Sequence, residues 1–392
     1  MGIAQTGSGK TAAFALPLLQ RLVADPFGVH SLVLTPTREL ALQIGEQFVA
    51  LAAGFSLRCA VLIGGQESGA QAAALVSRPH VVVATPGRLR DQLDAQQASR
   101  DALARCAALV LDEADRLLEP SFEADLAAVL SVLPRARQTL LFSATLTPSV
   151  CELQRLTRKQ ALLFAVTQGV SLPVGLSQRF VLMPAKVKEV YLAHLLSPDV
   201  RAALGLRKML VFAATVRDCQ LLADMLSLLG TRPAVLHSAL RQRDRAAALA
   251  AFRGGSADLL VATDVASRGL DIPHVDGVLH ADVPASYGDY IHRCGRAARV
   301  GRPGTSIALV TQYDVQRVQL IEQHTGSAWE ALPLDEATVL KGLKRVMDAR
   351  RQARLNLGQP GGFDERLLEL RRMRRRGQER RAAGLSAASA AD

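Results

Sequence analysis

Cysteine is scarce in this chain. Its five copies, Cys59, Cys106, Cys151, Cys219 and Cys294, are scattered, odd in number and without metal-ligand spacing. That excludes a disulfide scaffold and a thiolate zinc site, and reads as reduced thiols in an intracellular protein. Long apolar runs are missing as well. None reaches membrane-spanning length, and no signal peptide is legible. Aromatic residues make up only 4% of the total. Acidic residues fall short of basic ones, for a net charge of +11. From Lys341 onward there are 14 Lys and Arg against 6 Asp and Glu, a surplus of eight that leaves three for residues 1–340. The basicity therefore belongs to a tail. An anionic polymer is the partner it suggests, although a solvated charged helix has the same composition.

What is present is apolar and alternating. At 392 residues and 49% hydrophobic content, the chain is globular and long enough for two or three domains with their own cores. Short β-branched runs alternate with Ala/Leu-rich helical segments, the pattern of an α/β fold whose parallel sheets are covered by helices. Strands are predicted near Ser31–Thr35, Ala60–Ile63, His80–Ala84, Ala108–Leu111 and Gln138–Phe142. A second set follows near Phe180–Leu182, Met209–Phe212, Pro233–Leu236, Asp258–Ala262, Gly277–Leu279 and Ser306–Val310. Between the sets, Gly169, Pro173 and Gly175 interrupt the periodicity. The expected division is a first unit over 1–166, a linker over 167–177, a second unit over 178–326, and a helical, basic tail over 327–392.

Each strand of the first set ends in a polar signature: Pro36-Thr37-Arg38-Glu39, Gly64-Gly65, Thr85-Pro86-Gly87-Arg88, Asp112-Glu113-Ala114-Asp115 and Ser143-Ala144-Thr145. Ligands of open α/β sheets sit at the carboxyl ends of the strands, so these five signatures build one face. Three carboxylates at a buried strand end call for a positive partner, and a divalent cation with a phosphate supplies one. Ala4-Gln5-Thr6-Gly7-Ser8-Gly9-Lys10-Thr11 is a phosphate-loop pattern, with Ala4 where the generic form has Gly. Gly7 and Gly9 let backbone N–H groups turn around an anion at a helix start. Lys10 would reach the β- and γ-phosphates, and Thr11 would hold Mg²⁺ with Asp112 completing its site. Glu113 is the candidate general base, and Asp115 a link to neighbouring elements. In His292-Arg293-Cys294-Gly295-Arg296-Ala297-Ala298-Arg299, three arginines recur at helical spacing. That is either a solvated basic face or a source of positive charge for the γ-phosphate.

With these residues assembled, the chain resembles a DEAD-box RNA helicase, a superfamily 2 ATPase with two RecA-like domains, over about residues 2–325. Ala4–Thr11 matches motif I, Pro36–Leu40 motif Ia, Gly64-Gly65 the double glycine, Thr85–Arg88 motif Ib, Asp112–Asp115 motif II and Ser143–Thr145 motif III. Val211-Phe212 with Thr215 resembles motif IV, and Gln242-Arg243-Asp244-Arg245 after His237-Ser238 resembles IVa. Ala262–Asp271 matches motif V, and His292–Arg299 motif VI, with Ala297 where Thr is common; a methyl there is expected to pack. Leu32–Ile44, Arg116–Glu119, Gln138–Leu146, Ala262–Pro273 and Leu309–Asp314 resemble more closely the nucleolar members of small-ribosomal-subunit assembly.

The resemblance implies an ATP- and Mg²⁺-dependent RNA helicase. Glu113, Arg296 and Arg299 would be catalytic. Ala4, Gln5, Thr6, Gly7, Ser8, Gly9, Lys10, Thr11, Asp112 and Asp271 would bind the nucleotide. Asp115, Ser143, Thr145 and His292 would couple nucleotide state to RNA. Thr37, Arg38, Gly65, Thr85, Gly87, Arg88, Arg245 and Thr263 would lie on the RNA path. Thr, Gly and Arg at loop tips suit backbone contacts, and few aromatics lie among them, so base specificity is not expected. Pre-rRNA, pre-ribosomal assembly proteins, a monomeric state and a nuclear, nucleolar location follow as expectations, with the cytoplasm as the alternative. Two other readings stay open: a nucleotide-gated RNA clamp with little turnover, or an inactive truncated product. The family's adenine-recognising segment is expected upstream of residue 1. The phosphate loop is then expected on a frayed strand, and ATP turnover by residues 1–392 to be weak.

Overall fold

A strand that is apolar on both faces is stable only where helices cover both. β2 (Ser31–Leu34), β4 (Val81–Ala84) and β5 (Ala108–Asp112) meet that condition, with every residue buried. So do β9 (Met209–Phe212), β11 (Leu259–Ala262) and β12 (Gly277–His280) in the second half. The structure, a computed structural model, describes residues 1–4, 8–143, 162–165, 172, 175–264, 275–298, 303–373 and 375–376.

These strands are the centres of two sheets. The first also contains β1 (Gly2–Ile3), β3 (Cys59–Leu62), β6 (Gln138–Ser143) and β7 (Phe164–Ala165). The second adds β8 (Leu176–Leu182), β10 (Ala234–Leu236), β13 (Gly304–Val310) and β14 (Glu330–Ala331). Their orders are β3-β4-β2-β5-β6-β1-β7 and β10-β11-β9-β12-β13-β8-β14. Every described pairing is parallel. Position for position the two orders are the same, so the chain carries one architecture twice. The expected α/β class with two RecA-like sheets is what the structure has.

β1 occupies the place that β8 holds in the second sheet, yet it is two residues long against seven. It is not left at an edge. Gly2 and Ile3 pair with Phe142 and Ser143 on one side and with Phe164 and Ala165 on the other. The Ala4 N–H also donates to the Ser143 carbonyl at 3.1 Å. Each of the five apolar clusters lies wholly within one sheet and its helices.

Two boundaries differ from the sequence expectation. β8 begins inside the segment assigned to the linker, of which residues 167–171 and 173–174 lie outside the described residues. The second unit also does not stop at Gly326. β14 extends its sheet beside β8, and the helix Leu343–Leu357 buries Val346, Ala353 and Leu357 in the same core as Val211 and Leu279. The first part of the supposed tail is thus a layer of the second lobe. Among the described residues Cys59, Cys106, Cys219 and Cys294 are free thiols. Burial pushes Cys59, Cys106 and Cys294 up to about 11 and Cys219 to about 12, so none is a ready nucleophile. No described helix is long and apolar enough to cross a membrane.

Candidate nucleotide and nucleic-acid cleft

At the phosphate loop, the helix Lys10–Ala24 starts after Gly9, whose φ of 89° is the left-handed region that glycine enters without strain. Gln5, Thr6 and Gly7 lie outside the described residues. Lys10 and Thr11 stand in the first turn, partly exposed. Across the sheet, β5 delivers Asp112 and Glu113, both buried. Burial pushes the Asp112 carboxyl up to about 6, Lys10 pulls it back, and Glu113 and Asp115 raise it further. A carboxylate raised by burial and by neighbouring carboxylates is one whose charged form a cation would favour. Glu113 supports the same reading: its Oε2 is buried without a hydrogen-bond partner among the described residues. Its backbone is left-handed, at φ 52° and ψ 51°, a conformation that costs a non-glycine residue about 1 kcal/mol or more. Mg²⁺ takes few carboxylates and shares phosphates and water, and Thr11 with Asp112 is a donor set of that character.

The Asp112 environment has a measurable consequence. At pH 8 the nucleotide-free fold must hold this carboxylate charged against its burial. Asn needs no such charge. Asp112→Asn is therefore expected to be more stable than the parent at pH 8 without nucleotide, by about 3 kcal/mol at most. The advantage should fade as pH falls through 6 toward 4, where the parent's carboxyl is already protonated. Thermal unfolding across that range checks it, and Mg²⁺ with nucleotide should reverse the ranking.

The lobes meet through polar bridges. His292, on the helix Tyr287–Cys294, donates from Nε2 to Asp115 Oδ2 at 3.2 Å, with both side chains largely buried. Glu39, 4% exposed, accepts from Arg245 Nε at 2.7 Å and from Gln242 Nε2 at 3.4 Å. Its Oε2 has no partner among the described residues. Neither Glu39 nor Gln242 was singled out as a site residue. A carboxylate amid residues meant for phosphates was the available signal. Arg245 was expected on the RNA path. The structure buries it against Glu39, with a further contact from Nη1 to the His237 carbonyl at 3.5 Å.

The other expected RNA-path residues of the first lobe converge. Arg38, Thr85, Gly87 and Arg88, with Pro36, Gly64 and Asp91, line a groove of about 350 Å³. Arg38 lies so close over the double glycine that a Cβ at Gly65 would stand 2.6 Å from its Nη1. Arg88 donates to the carbonyls of Ile63 and Gln66, at 3.1 and 3.0 Å, and so shapes the groove wall. Thr37 is the N-cap of the helix Arg38–Leu51, its Oγ1 accepting from Leu40 N at 3.4 Å. Asp91 is an acidic lining residue that the motif reading passed over.

In the second lobe, Thr263 is buried and its Oγ1 has no partner among the described residues. Arg293 is not part of a solvated stripe. Its guanidinium pairs with both oxygens of Asp264 at 2.6 and 2.8 Å, donates to the Asp282 carbonyl at 2.7 Å and covers the Phe212 ring. The helix ends at Cys294, so Arg296 sits in the following turn, buried. That turn presses on the start of β13: a Cβ on Gly304 would lie 2.5 Å from the Ala297 carbonyl carbon. Ala297 itself is buried in the apolar cluster that holds Phe212 and Leu236, so its methyl packs as expected. Ser143 is buried at the end of β6. Thr145, Asp271 and Arg299 lie outside the described residues.

Comparison with known proteins adds the context. The DEAD/DEAH box helicase family matches residues 1–153, and the helicase conserved C-terminal domain matches residues 191–301. The chain is 45% identical to probable ATP-dependent RNA helicase DDX49 of Homo sapiens, over 93% of this chain and 76% of that protein. It is 46% identical to ATP-dependent RNA helicase dbp8 of Schizosaccharomyces pombe, over 93% of this chain and 82% of that one. The structure of Mss116p bound to single-stranded RNA and AMP-PNP is similar, with a TM-score of 0.78 at 29% identity. That match covers 89% of this chain and 73% of Mss116p.

Proposed function

The chain belongs to the DEAD-box family of ATP-dependent RNA helicases, and we propose that it separates short RNA strands by clamping one of them between its two lobes. The bridge from His292 to Asp115 carries this reading, because it holds the segment ending in Arg296 against the strand end that bears Glu113. ATP binds at Gly9, Lys10 and Thr11 with Asp112 beneath it. Mg²⁺ held by Thr11 and Asp112 would neutralise phosphate charge. Glu113 orients the attacking water and takes its proton, while Arg296, joined by Arg299, meets the charge developing on the γ-phosphate. Arg38, Thr85, Gly87 and Arg88 grip one strand through its backbone. Asp91 in the same groove repels a close phosphate and accepts from a 2′-OH, a donor that DNA lacks.

Differential binding drives the cycle. The closed form is favoured by ATP and a single bent strand together, so pairing is lost locally, and hydrolysis removes the preference. The experiment is ATPase turnover by the purified chain with and without single-stranded RNA, beside displacement of a short RNA duplex. RNA-stimulated turnover with displacement supports the reading. Nucleotide-dependent RNA binding without turnover would favour a clamp instead. By the resemblance of Leu32–Ile44, Gln138–Leu146 and Leu309–Asp314, the proposed substrate is pre-rRNA during ribosome assembly, in the nucleolus.

The basic tail has a separate role here. Arg371, Arg372, Arg375 and Arg376 add affinity through counterion release, without regard to base sequence. Replacing the four by Gln should weaken RNA binding and flatten its salt dependence, by roughly 0.7 in log–log slope for each lost phosphate contact to a single strand. Base preference should stay as it was. An unchanged slope would mean the tail does not touch RNA.

A further inference from the structure

The segment after the helix Leu343–Leu357 turns back sharply and lays residues 363–373, helical, along the second lobe. Glycines permit the turn. Gly361 has φ 71°, and a Cβ on Gly362 would stand 2.6 Å from the Gln359 carbonyl oxygen. The reversal puts Phe363 edge-on to the imidazole of His237, with ring centroids 5.3 Å apart at 64°. Beside it, Asp364 takes a two-pronged ion pair from Arg217, Nε to Oδ1 and Nη2 to Oδ2, both at 2.9 Å. Leu367 is buried one turn later. A groove of about 540 Å³ remains beside these contacts, walled by Leu240, Leu357 and Leu370. Phe363, Asp364 and Leu367 anchor the segment.

Those anchors sit behind the bridge between the lobes. His237 is fully buried and held neutral, its pKa lowered to about 4 by burial and by the nearby Arg245 charge. Its Nε2 donates to Gln220 Oε1 at 2.9 Å, on the same helix, Val216–Leu228, that bears Arg217. Its carbonyl receives Arg245 Nη1, and Arg245 Nε reaches Glu39 across the cleft. The contacts thus run without a gap from Phe363 through His237 and Arg245 to Glu39.

We infer that Phe363 and Asp364 are positioning residues for cleft closure, holding His237 and hence Arg245 in the setting that lets Arg245 bridge to the first lobe. This rests on the clamp reading of the function. It assigns the turned-back segment a part in the ATP-driven step in addition to any charge it offers RNA. Neither residue touches substrate. Their effect is on the balance between open and closed lobes. Loss of Phe363 frees the His237 ring on one side and widens the settings open to Arg245.

The test uses the full chain, a fluorescent single-stranded RNA and AMP-PNP. Phe363→Ala should lower RNA affinity in the presence of AMP-PNP by roughly five- to ten-fold, the scale of one aromatic contact. Affinity without nucleotide and the salt slope should not change, and Phe363→Tyr should keep the parent's behaviour. Arg217→Asp and Asp364→Arg should each weaken nucleotide-dependent binding, and the two together should restore it; both positions are partly exposed, so folding is not at stake. Equal losses with and without AMP-PNP, or a flatter salt slope, would mean that Phe363 and Asp364 act only through the tail's own contacts to RNA and would overturn the inference. So would charge-swap variants that lower the melting temperature while leaving nucleotide dependence intact. A parent chain whose RNA affinity ignores AMP-PNP would sink the clamp reading itself, before any variant is made.

Discussion

Glu113→Gln is expected to reduce ATP hydrolysis by roughly 10²- to 10³-fold while ATP and RNA still bind. Gln has the shape of Glu and can keep the left-handed turn that follows β5. What it loses is the oxygen that is buried with no partner among the described residues, the atom free to take a proton. Binding should not suffer. Glu113 is one of the neighbours that keep the Asp112 carboxyl raised, so removing its charge lets Asp112 ionise more readily. Single-turnover hydrolysis and RNA binding with AMP-PNP, measured on one preparation, separate the two effects. A variant that hydrolyses at the parent rate would remove Glu113 from the chemistry.

The second large effect is expected at Arg245. In the closed cleft Glu39 and Arg245 are both buried, and taking away the arginine leaves an unpaired carboxylate. A buried ion whose partner is removed costs roughly 3–5 kcal/mol, or a factor of about 10² or more. Here the chain has an escape: the lobes part and Glu39 is rehydrated. Arg245→Ala should therefore spare the melting temperature of each lobe and lower AMP-PNP-dependent RNA affinity by about 10²-fold. Glu39→Gln in that background should recover part of the loss, since no charge is then stranded. Should Arg245→Ala weaken RNA binding equally with and without nucleotide, Arg245 would be an RNA ligand, as its motif suggests, and not a bridge.

That contrast marks where residue patterns stop being informative. The central strands were legible because short all-apolar runs ending in polar signatures have few other solutions, and their ends marked the cleft. β1, β7 and β14 were not, since two residues show no period and only their neighbours make them strands. The end of the second lobe was misread for a different reason. Val346, Ala353 and Leu357 form a stripe on a helix whose other face is basic. Composition weighed the arginines and passed over the stripe. At the site, the signatures of the first lobe follow strand ends, but no motif discloses the partners of its residues. Arg293 meets Asp264, and Arg245 meets Glu39, from segments 29 and 206 residues away. No spacing rule reaches that far.

The division of the apolar clusters, each confined to one lobe, has a thermal consequence. Burial of oily surface is what gives a conformational change its heat-capacity signature. The described bridges of this cleft are ion pairs and hydrogen bonds, so the protein's own part in closing should proceed at nearly constant heat capacity. Its enthalpy should then vary little between a cold cell and a warm one. Calorimetric titrations at several temperatures would show a slope set by nucleotide and RNA and hardly at all by the lobes. A clamp built this way opens onto wet, charged faces and keeps its cores covered, so it can cycle many times without presenting a surface on which other chains would gather.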